Sequence, residues 1–264
     1  MPNRSNSSAS CRRTAIVNQK GGVGKTTTAV NLAASLAAAE KRVLLIDIDP
    51  QGNATSGVGV RPQSTDQSIY DVLIGQASLA DVIVQTAIAP LWVAPATQDL
   101  VAAEIELIDE EERATRLRTA IDTLLETVPF DYIFIDCPPS LGLLTINALT
   151  AVDRVLVPLQ CEYFALEGLT HLMATLDRIK ASTNPNLEVH GVVLTMFDSR
   201  NNLAHQVADE VRRHFHVFDS VIPRNIRLSE APSYGKPALL YDIESKGAQG
   251  YLSLARELLQ SDAL

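Results

Sequence analysis

The sequence is poor in cysteine: Cys11, Cys137 and Cys161 are the only three in 264 residues, and no two form a C-x-x-C pair. That excludes a disulfide framework and a cysteine zinc site, and it fits a reducing cytoplasm. Any apolar run of about 18 residues, the length a membrane-spanning helix needs, is also missing. The opening stretch MPNRSNSSASCRR has no apolar centre, so it is not a secretory signal; residues 1–13 are expected to be a disordered polar tail. Positive charge is in deficit. There are 22 basic and 31 acidic side chains, a net charge of -9, which excludes a nonspecific polycation and leaves room for a local basic patch. The deficit is uneven: residues 1–196 carry 14 basic and 22 acidic side chains, residues 197–264 carry 8 and 9. Internal repeats and Pro/Ser-rich linkers are absent too, so residues 14–264 are expected to form a single domain.

What is present is an ordinary globular mixture, 46% hydrophobic and 20% charged, long enough to bury a core without staples. Short apolar or β-branched runs predict strands at 14–17, 42–46, 91–94, 132–135, 155–157, 189–194 and 220–222. Helical spacing of apolar residues predicts helices at 26–39, 114–125, 166–179, 203–215 and 248–259. This alternation predicts an α/β fold, a doubly wound, mostly parallel sheet with helices on both faces. The polar stretch 49–67 holds five Gly and Pro residues and is expected to be a long loop. Asp99, Glu104, Glu106, Asp109, Glu110, Glu111 and Glu112 follow one another with no basic residue between them, and read as a solvated helix face or loop.

The strongest signal is Lys20-Gly21-Gly22-Val23-Gly24-Lys25-Thr26-Thr27, which follows a predicted strand and opens a predicted helix. That is the context of a phosphate-binding P-loop, here a variant with Gln19 where the usual pattern has glycine. Glycines let backbone N–H groups turn inward around phosphate oxygens, and the helix N-terminus adds partial positive charge. Lys25 is suited to the β- and γ-phosphates of ATP, and the Thr26 hydroxyl to Mg²⁺. Lys20, at the mouth of the loop, is not needed for the cradle and is positioned like a cation that acts in trans.

The run KGGVGKTT is the deviant Walker A signature and resembles the ParA/MinD branch of P-loop ATPases. Leu44-Leu45-Ile46-Asp47-Ile48-Asp49-Pro50-Gln51-Gly52-Asn53 is similar to the ParA switch I motif, and Ile135-Asp136-Cys137-Pro138-Pro139-Ser140 to its Walker B and switch II. The segments 158–168, PLQCEYFALEG, and 222–232, IPRNIRLSEAP, match the chromosomal ParA/Soj subgroup. The resemblance runs from about Thr14 to Leu259. It implies a homodimer formed on ATP binding, with Lys20 reaching the partner's nucleotide.

Asp136 ends an apolar strand, at the carboxyl edge of the sheet where ligands bind, and can hold Mg²⁺ through a water. Asp49 lies two residues after Asp47, on the same side of an extended backbone. The resemblance makes Asp49 the residue that orients the attacking water and leaves Asp47 to buttress either the Mg²⁺ shell or Lys25. The candidate metal set is Thr26, Asp49 and Asp136. The resemblance also places two segments around the adenine, residues 195–198 with Met196, and Pro223-Arg224-Asn225. Cys137 and Cys161 lack the surroundings of the related iron-protein cysteines and read as buried small hydrophobes.

The resemblance implies an ATPase that segregates chromosome or plasmid DNA, in the cytoplasm and associated with the nucleoid. Its ATP dimer binds double-stranded DNA nonspecifically, and a ParB-like protein releases it by stimulating hydrolysis. Candidate phosphate contacts are Arg200, Arg224, Arg227, Lys236 and Lys246, all in the nearly neutral last quarter. No helix-turn-helix is expected before the P-loop, so operator-specific repression is not expected. Three alternatives differ in cargo or class: a ParA-like positioner of another cargo, a MinD-like membrane ATPase and an iron–sulfur reductase. The terminal helix from Ala248 offers only Arg256, beside Glu257, so the basic face of a membrane-surface helix is missing. Its apolar residues, Tyr251, Leu252, Leu254, Ala255, Leu258 and Leu259, are expected to pack on the domain.

Overall fold

In the computed structural model, which describes residues 11–61 and 66–263, strand β2 (Val43–Asp47) is buried at every position. A strand covered on both faces has no use for polar alternation, which is why VLLID reads as an unbroken apolar run closed by one aspartate. The other strands are β1 (Arg12–Ile16), β3 (Val84–Gln85), β4 (Leu91–Ala94), β5 (Tyr132–Asp136), β6 (Arg154–Gln160) and β7 (Glu188–Thr195). They form one sheet in the order β3-β4-β2-β5-β1-β6-β7, parallel throughout except for the short β3 at one edge.

The helices of the first half are α1 (Lys25–Ala38), α2 (Asn53–Gly57), α3 (Ile69–Leu73), α4 (Leu79–Val82), α5 (Leu100–Glu106) and α6 (Arg116–Thr127). Those of the second half are α7 (Leu143–Ala151), α8 (Ala165–Ser182), α9 (Asn202–His214), α10 (Ile226–Glu230), α11 (Ala238–Tyr241) and α12 (Lys246–Ser261). Successive strand residues point to opposite faces. Leu44 and Ile46 join a core with the inner faces of α6, α7, α8 and α9, whereas Val43 and Leu45 join a second core with α1 and α12. The doubly wound sheet is as the alternation predicts.

Three local expectations are corrected. β1 begins at Arg12, inside the stretch expected as a tail, because Arg12 and Arg13 pair with Tyr132 and Ile133 of β5; residues 1–10 of that tail lie outside the described residues. The segment expected as a loop over 49–67 contains α2, started by Gly52 in the left-handed region at φ 63°; its residues 62–65 lie outside the described residues. No strand forms at 220–222; single bridges flank it, Val192 with Val217 and Phe197 with Pro223, and proline has no N–H to extend a ladder. Helices α5 and α7 were not evident from spacing. LLTINALTA in α7 is buried on nearly all sides, so it carries no one-sided pattern.

Candidate functional site

The β1–β5 and β2–β5 registers place Ile16, Asp47 and Asp136 level at one carboxyl edge of the sheet. From there the chain turns through the glycine loop into α1. Gly24 caps α1 at φ 89°, and its carbonyl accepts the Thr28 N–H at 2.8 Å. Val23 is buried, and its carbonyl accepts the Thr195 hydroxyl at 2.8 Å, tying the loop to the end of β7. A Cβ at Gly21 would meet nothing within 4 Å, and Gly21 has no left-handed φ. Neither packing nor strain demands glycine there; the free space before the backbone does.

Lys25 is 7% exposed, and its ammonium donates to the Lys20 carbonyl at 3.0 Å. Burial pushes its pKa down, while the Asp136 carboxylate pulls it back up. Lys20 turns away from the cavity: its backbone N–H donates to Asn18 Oδ1 at 2.9 Å, and its ammonium is paired with Glu162.

Three aspartates meet at this edge with different fates. Asp47 is fully buried and satisfied: Oδ2 accepts the Thr55 N–H and the Thr55 hydroxyl, both at 2.7 Å, and Oδ1 accepts the Asp49 N–H at 3.2 Å. Burial raises its pKa to about 6 against these bonds. Both oxygens of Asp136 are buried with no hydrogen-bond partner among the described residues. Burial drives its pKa up, the Asp47 and Asp49 carboxylates add to this, and the Thr26 hydroxyl and Lys25 oppose it. A buried, unpartnered carboxylate beside a lysine and a threonine hydroxyl is the donor set a Mg²⁺ ion completes. Asp49 lines the cavity and uses one oxygen for the Gln51 N–H at 3.0 Å. Asp47 therefore holds α2 to β2, and its oxygens are spent on Thr55 and Asp49 rather than on the Mg²⁺ shell or Lys25.

The cavity has a volume of about 800 Å³. Gly21, Gly22, Gly24, Lys25, Thr26 and Thr27 line it together with Met196, Pro223, Arg224 and Asn225. The two segments expected to flank a base are joined by the Phe197 N–H donating to the Ile222 carbonyl at 3.1 Å. Met196 sits at φ 48°, a left-handed conformation rare for a long side chain and concentrated at functional sites. Sequence reasoning missed two lining residues. Val101 comes from α5. Tyr251, read only as packing, reaches the cavity from α12, and its hydroxyl lies 3.1 Å from that of Thr28. No local motif marks either residue.

The basic candidates divide. Arg200 is paired with Asp198 at 3.0 Å, and Arg227 with Glu230 at 2.8 Å and Asp242 at 3.2 Å. Arg224, Lys236 and Lys246 are exposed and carry no ion pair among the described residues. Cys137 and Cys161 are buried, and no cluster of three or more His, Cys, Asp or Glu side chains placed to share a metal occurs among the described residues. In α12, Tyr251, Leu254, Ala255 and Leu258 are buried against the second core. No helix among the described residues is long and apolar enough to cross a membrane.

Fold and site together define a P-loop nucleotide hydrolase. A family model described as an AAA domain matches residues 11–189. The chain is 56% identical over 249 residues to the chromosome partitioning protein ParA of Myxococcus xanthus, covering 94% of this chain and 87% of that one. It is 55% identical over 246 residues to the sporulation initiation inhibitor protein Soj of Bacillus subtilis, covering 92% and 96%. Cobyrinic acid a,c-diamide synthase from Mycobacterium smegmatis, solved with an ATP analogue and magnesium, is similar in structure, with a TM-score of 0.83, 36% identity and 95% of each chain covered. The chain belongs to the ParA/Soj family of chromosome-partitioning ATPases.

Proposed function

We propose that this ATPase segregates DNA in the cytoplasm, with the chain from β1 to α12 acting as one domain on the nucleoid. ATP with Mg²⁺ closes two copies into a dimer, the dimer binds double-stranded DNA without sequence preference, and a ParB-like partner stimulates hydrolysis and release. The orphaned carboxyl group of Asp136 carries the reading, because a buried polar group without a partner among the described residues implies one outside them.

The backbone of 21–27 cradles the phosphates, and Lys25 neutralises them. Thr26 and Asp136 would hold Mg²⁺, which when bound would supply positive charge against that of the phosphates. Asp49 orients the attacking water with the oxygen that Gln51 leaves free. Lys20 must leave Glu162 before it can reach the nucleotide of a second copy. Pro223, Arg224 and Asn225 close over the base with Met196. Arg224, Lys236 and Lys246 supply phosphate contacts, and dimerisation doubles their number on one surface.

The test is a DNA-binding titration of the full chain with ATP and Mg²⁺, with ADP and Mg²⁺, and without nucleotide. Binding in the ATP state alone is expected. Equal binding in all three states would remove the nucleotide switch, and no binding in any state would remove DNA as the support.

A further inference from the structure

Helix α12 carries two glycines in its first five positions, Gly247 and Gly250. Glycine weakens a helix, and neither residue has the left-handed φ that would call for it. What calls for it is space. A Cβ at Gly247 would lie 2.6 Å from Leu228 Cγ and 2.9 Å from Leu228 Cδ1, well inside van der Waals contact. A Cβ at Gly250 would lie 3.2 Å from Ile222 Cδ1, 3.3 Å from the Val221 carbonyl oxygen and 3.6 Å from Pro223 Cδ.

The side chains that meet the two glycines are those of the nucleotide site. Leu228, Ile222 and Pro223 all line the cavity. Leu228 belongs to α10, which begins after Asn225, whose side chain caps it by accepting the Arg227 N–H at 2.9 Å. Helix α10 has five residues and buries none of them fully. A helix that short draws its stability from packing, and here Leu228, half-buried against the second core, is seated on Gly247. The residue after Gly250 ties the same stretch of α12 to the phosphate loop's helix: the Tyr251 hydroxyl lies 3.1 Å from that of Thr28 in α1.

We propose that Gly247 and Gly250 are positioning residues for the nucleotide. By letting the α12 backbone close on Leu228 and Ile222, they set how much room the cavity leaves for the base beside residues 222–228. The proposal rests on the reading above that Pro223, Arg224 and Asn225 close over the base with Met196. A methyl group on Gly247 must displace Leu228, and because Leu228 lines the cavity, the room it can move into includes the cavity. The base then competes with Leu228 for that room, whereas phosphates held by residues 21–27 do not.

The test compares ADP with pyrophosphate, each titrated with Mg²⁺ into the full chain by calorimetry. Pyrophosphate lacks the base and ribose, and in the reading above neither ligand closes the dimer. The parent chain is expected to bind ADP more tightly than pyrophosphate. Gly247→Ala is expected to weaken ADP binding about tenfold and Gly250→Ala about threefold, with pyrophosphate binding kept within about twofold in both. Adding Leu228→Ala to Gly247→Ala removes the displaced side chain and is expected to bring ADP binding back to within about threefold of the parent. Should Gly247→Ala not fold, Gly250→Ala, where the contact is milder, carries the comparison.

ADP binding unchanged in both glycine variants would overturn the proposal. Equal losses of ADP and pyrophosphate would overturn it too, making the glycines a matter of the fold as a whole, and so would a double variant no better than Gly247→Ala. A parent chain that prefers ADP, with variants that keep the same preference, fails only this proposal; a parent chain that binds pyrophosphate as tightly as ADP fails the reading of the base site beneath it.

Discussion

Asp47 and Asp136 are register partners at the ends of β2 and β5, yet of the two only Asp47 has its carboxylate satisfied among the described residues. Two buried carboxylates side by side repel, and the unpartnered one bears the cost. Asp136→Asn is therefore expected to raise the thermal stability of the nucleotide-free chain, by about 1–3 kcal/mol, while weakening Mg²⁺-dependent ATP binding. Asp47→Asn should do the reverse, because an amide nitrogen facing the Thr55 donors leaves them unpaired; a loss of about 2 kcal/mol, roughly 4–8 °C at this size, is expected. Calorimetry with and without Mg²⁺-ATP separates the two. Destabilisation by Asp136→Asn would contradict its assignment as the open ligand.

The Lys20–Glu162 pair is a restraint on the mouth of the P-loop. Both side chains are nearly half exposed, at 43% and 46%, so the pair is worth at most about 1 kcal/mol. Glu162→Gln should leave the unfolding midpoint unchanged and raise the ATP-dependent dimer fraction, by up to about thirtyfold in the association constant because each of the two copies is freed of one pair. Lys20→Ala should bind ATP and remain a monomer. Size-exclusion chromatography with ATP and Mg²⁺ reads both, and an undiminished dimer from Lys20→Ala would end the trans role.

The site was legible where chemistry is local in sequence. The glycine loop, Lys25 and Asp136 announce themselves because phosphate and metal binding need particular residue types at particular strand ends. The roles of Asp47 and Asp49 were not separable from spacing alone, since the difference is made by Thr55, eight residues further on and in a helix that the Gly-rich composition hid. Val101 and Tyr251 were invisible as cavity residues because tertiary packing alone brings α5 and α12 to the cavity. The sheet was readable from its buried apolar runs. Helix α7 was not, since a segment buried on nearly all sides has no polar face to show its period.

His190 should give the fold a measurable pH dependence. Burial, and then the neighbouring Arg154, push its pKa from 6.5 down to about 4, and its Nδ1 lies 3.0 Å from the Arg154 guanidinium. Above pH 6.5 the imidazole is neutral in both states and contributes nothing to the slope. As pH falls from 6.5 towards 4 the unfolded chain takes up a proton that the folded chain refuses, so stability declines. Asp47, raised to about 6, has the opposite sign, so the comparison must be between proteins and not between pH values alone. His190→Phe keeps a ring against Phe218, on which His190 stacks at 5.4 Å. Its urea midpoint should fall less between pH 7 and pH 5 than that of the parent chain. Parallel curves would show that His190 titrates normally.

The DNA reading turns on which cations are free. Arg227, for all its place in the IPRNIRLSE turn, is already committed to Glu230 and Asp242, and reversing its charge would also release two carboxylates beside the surface. Arg224 is unpaired but lines the nucleotide cavity, so its replacement confounds ATP with DNA. Lys246 is exposed at the first position of α12, where Ser245 already caps the helix by accepting the Ala248 N–H at 3.2 Å, and it lines no part of the cavity. It is the cleaner probe. The chain carries a net charge of -9, so its long-range field repels DNA and binding must come from cations held within about 8 Å of phosphates at physiological salt. Lys246→Glu should therefore weaken binding by the ATP dimer and lower the slope of log affinity against log salt by about 1 for each lost contact. Dimerisation and hydrolysis should be unaffected. Arg227→Glu should lose less of the slope, because its charge is already neutralised in place. A titration series in salt with ATP and Mg²⁺ tests both. An unchanged slope in Lys246→Glu and Lys236→Glu together would take the basic surface away from DNA and leave a protein partner as its ligand.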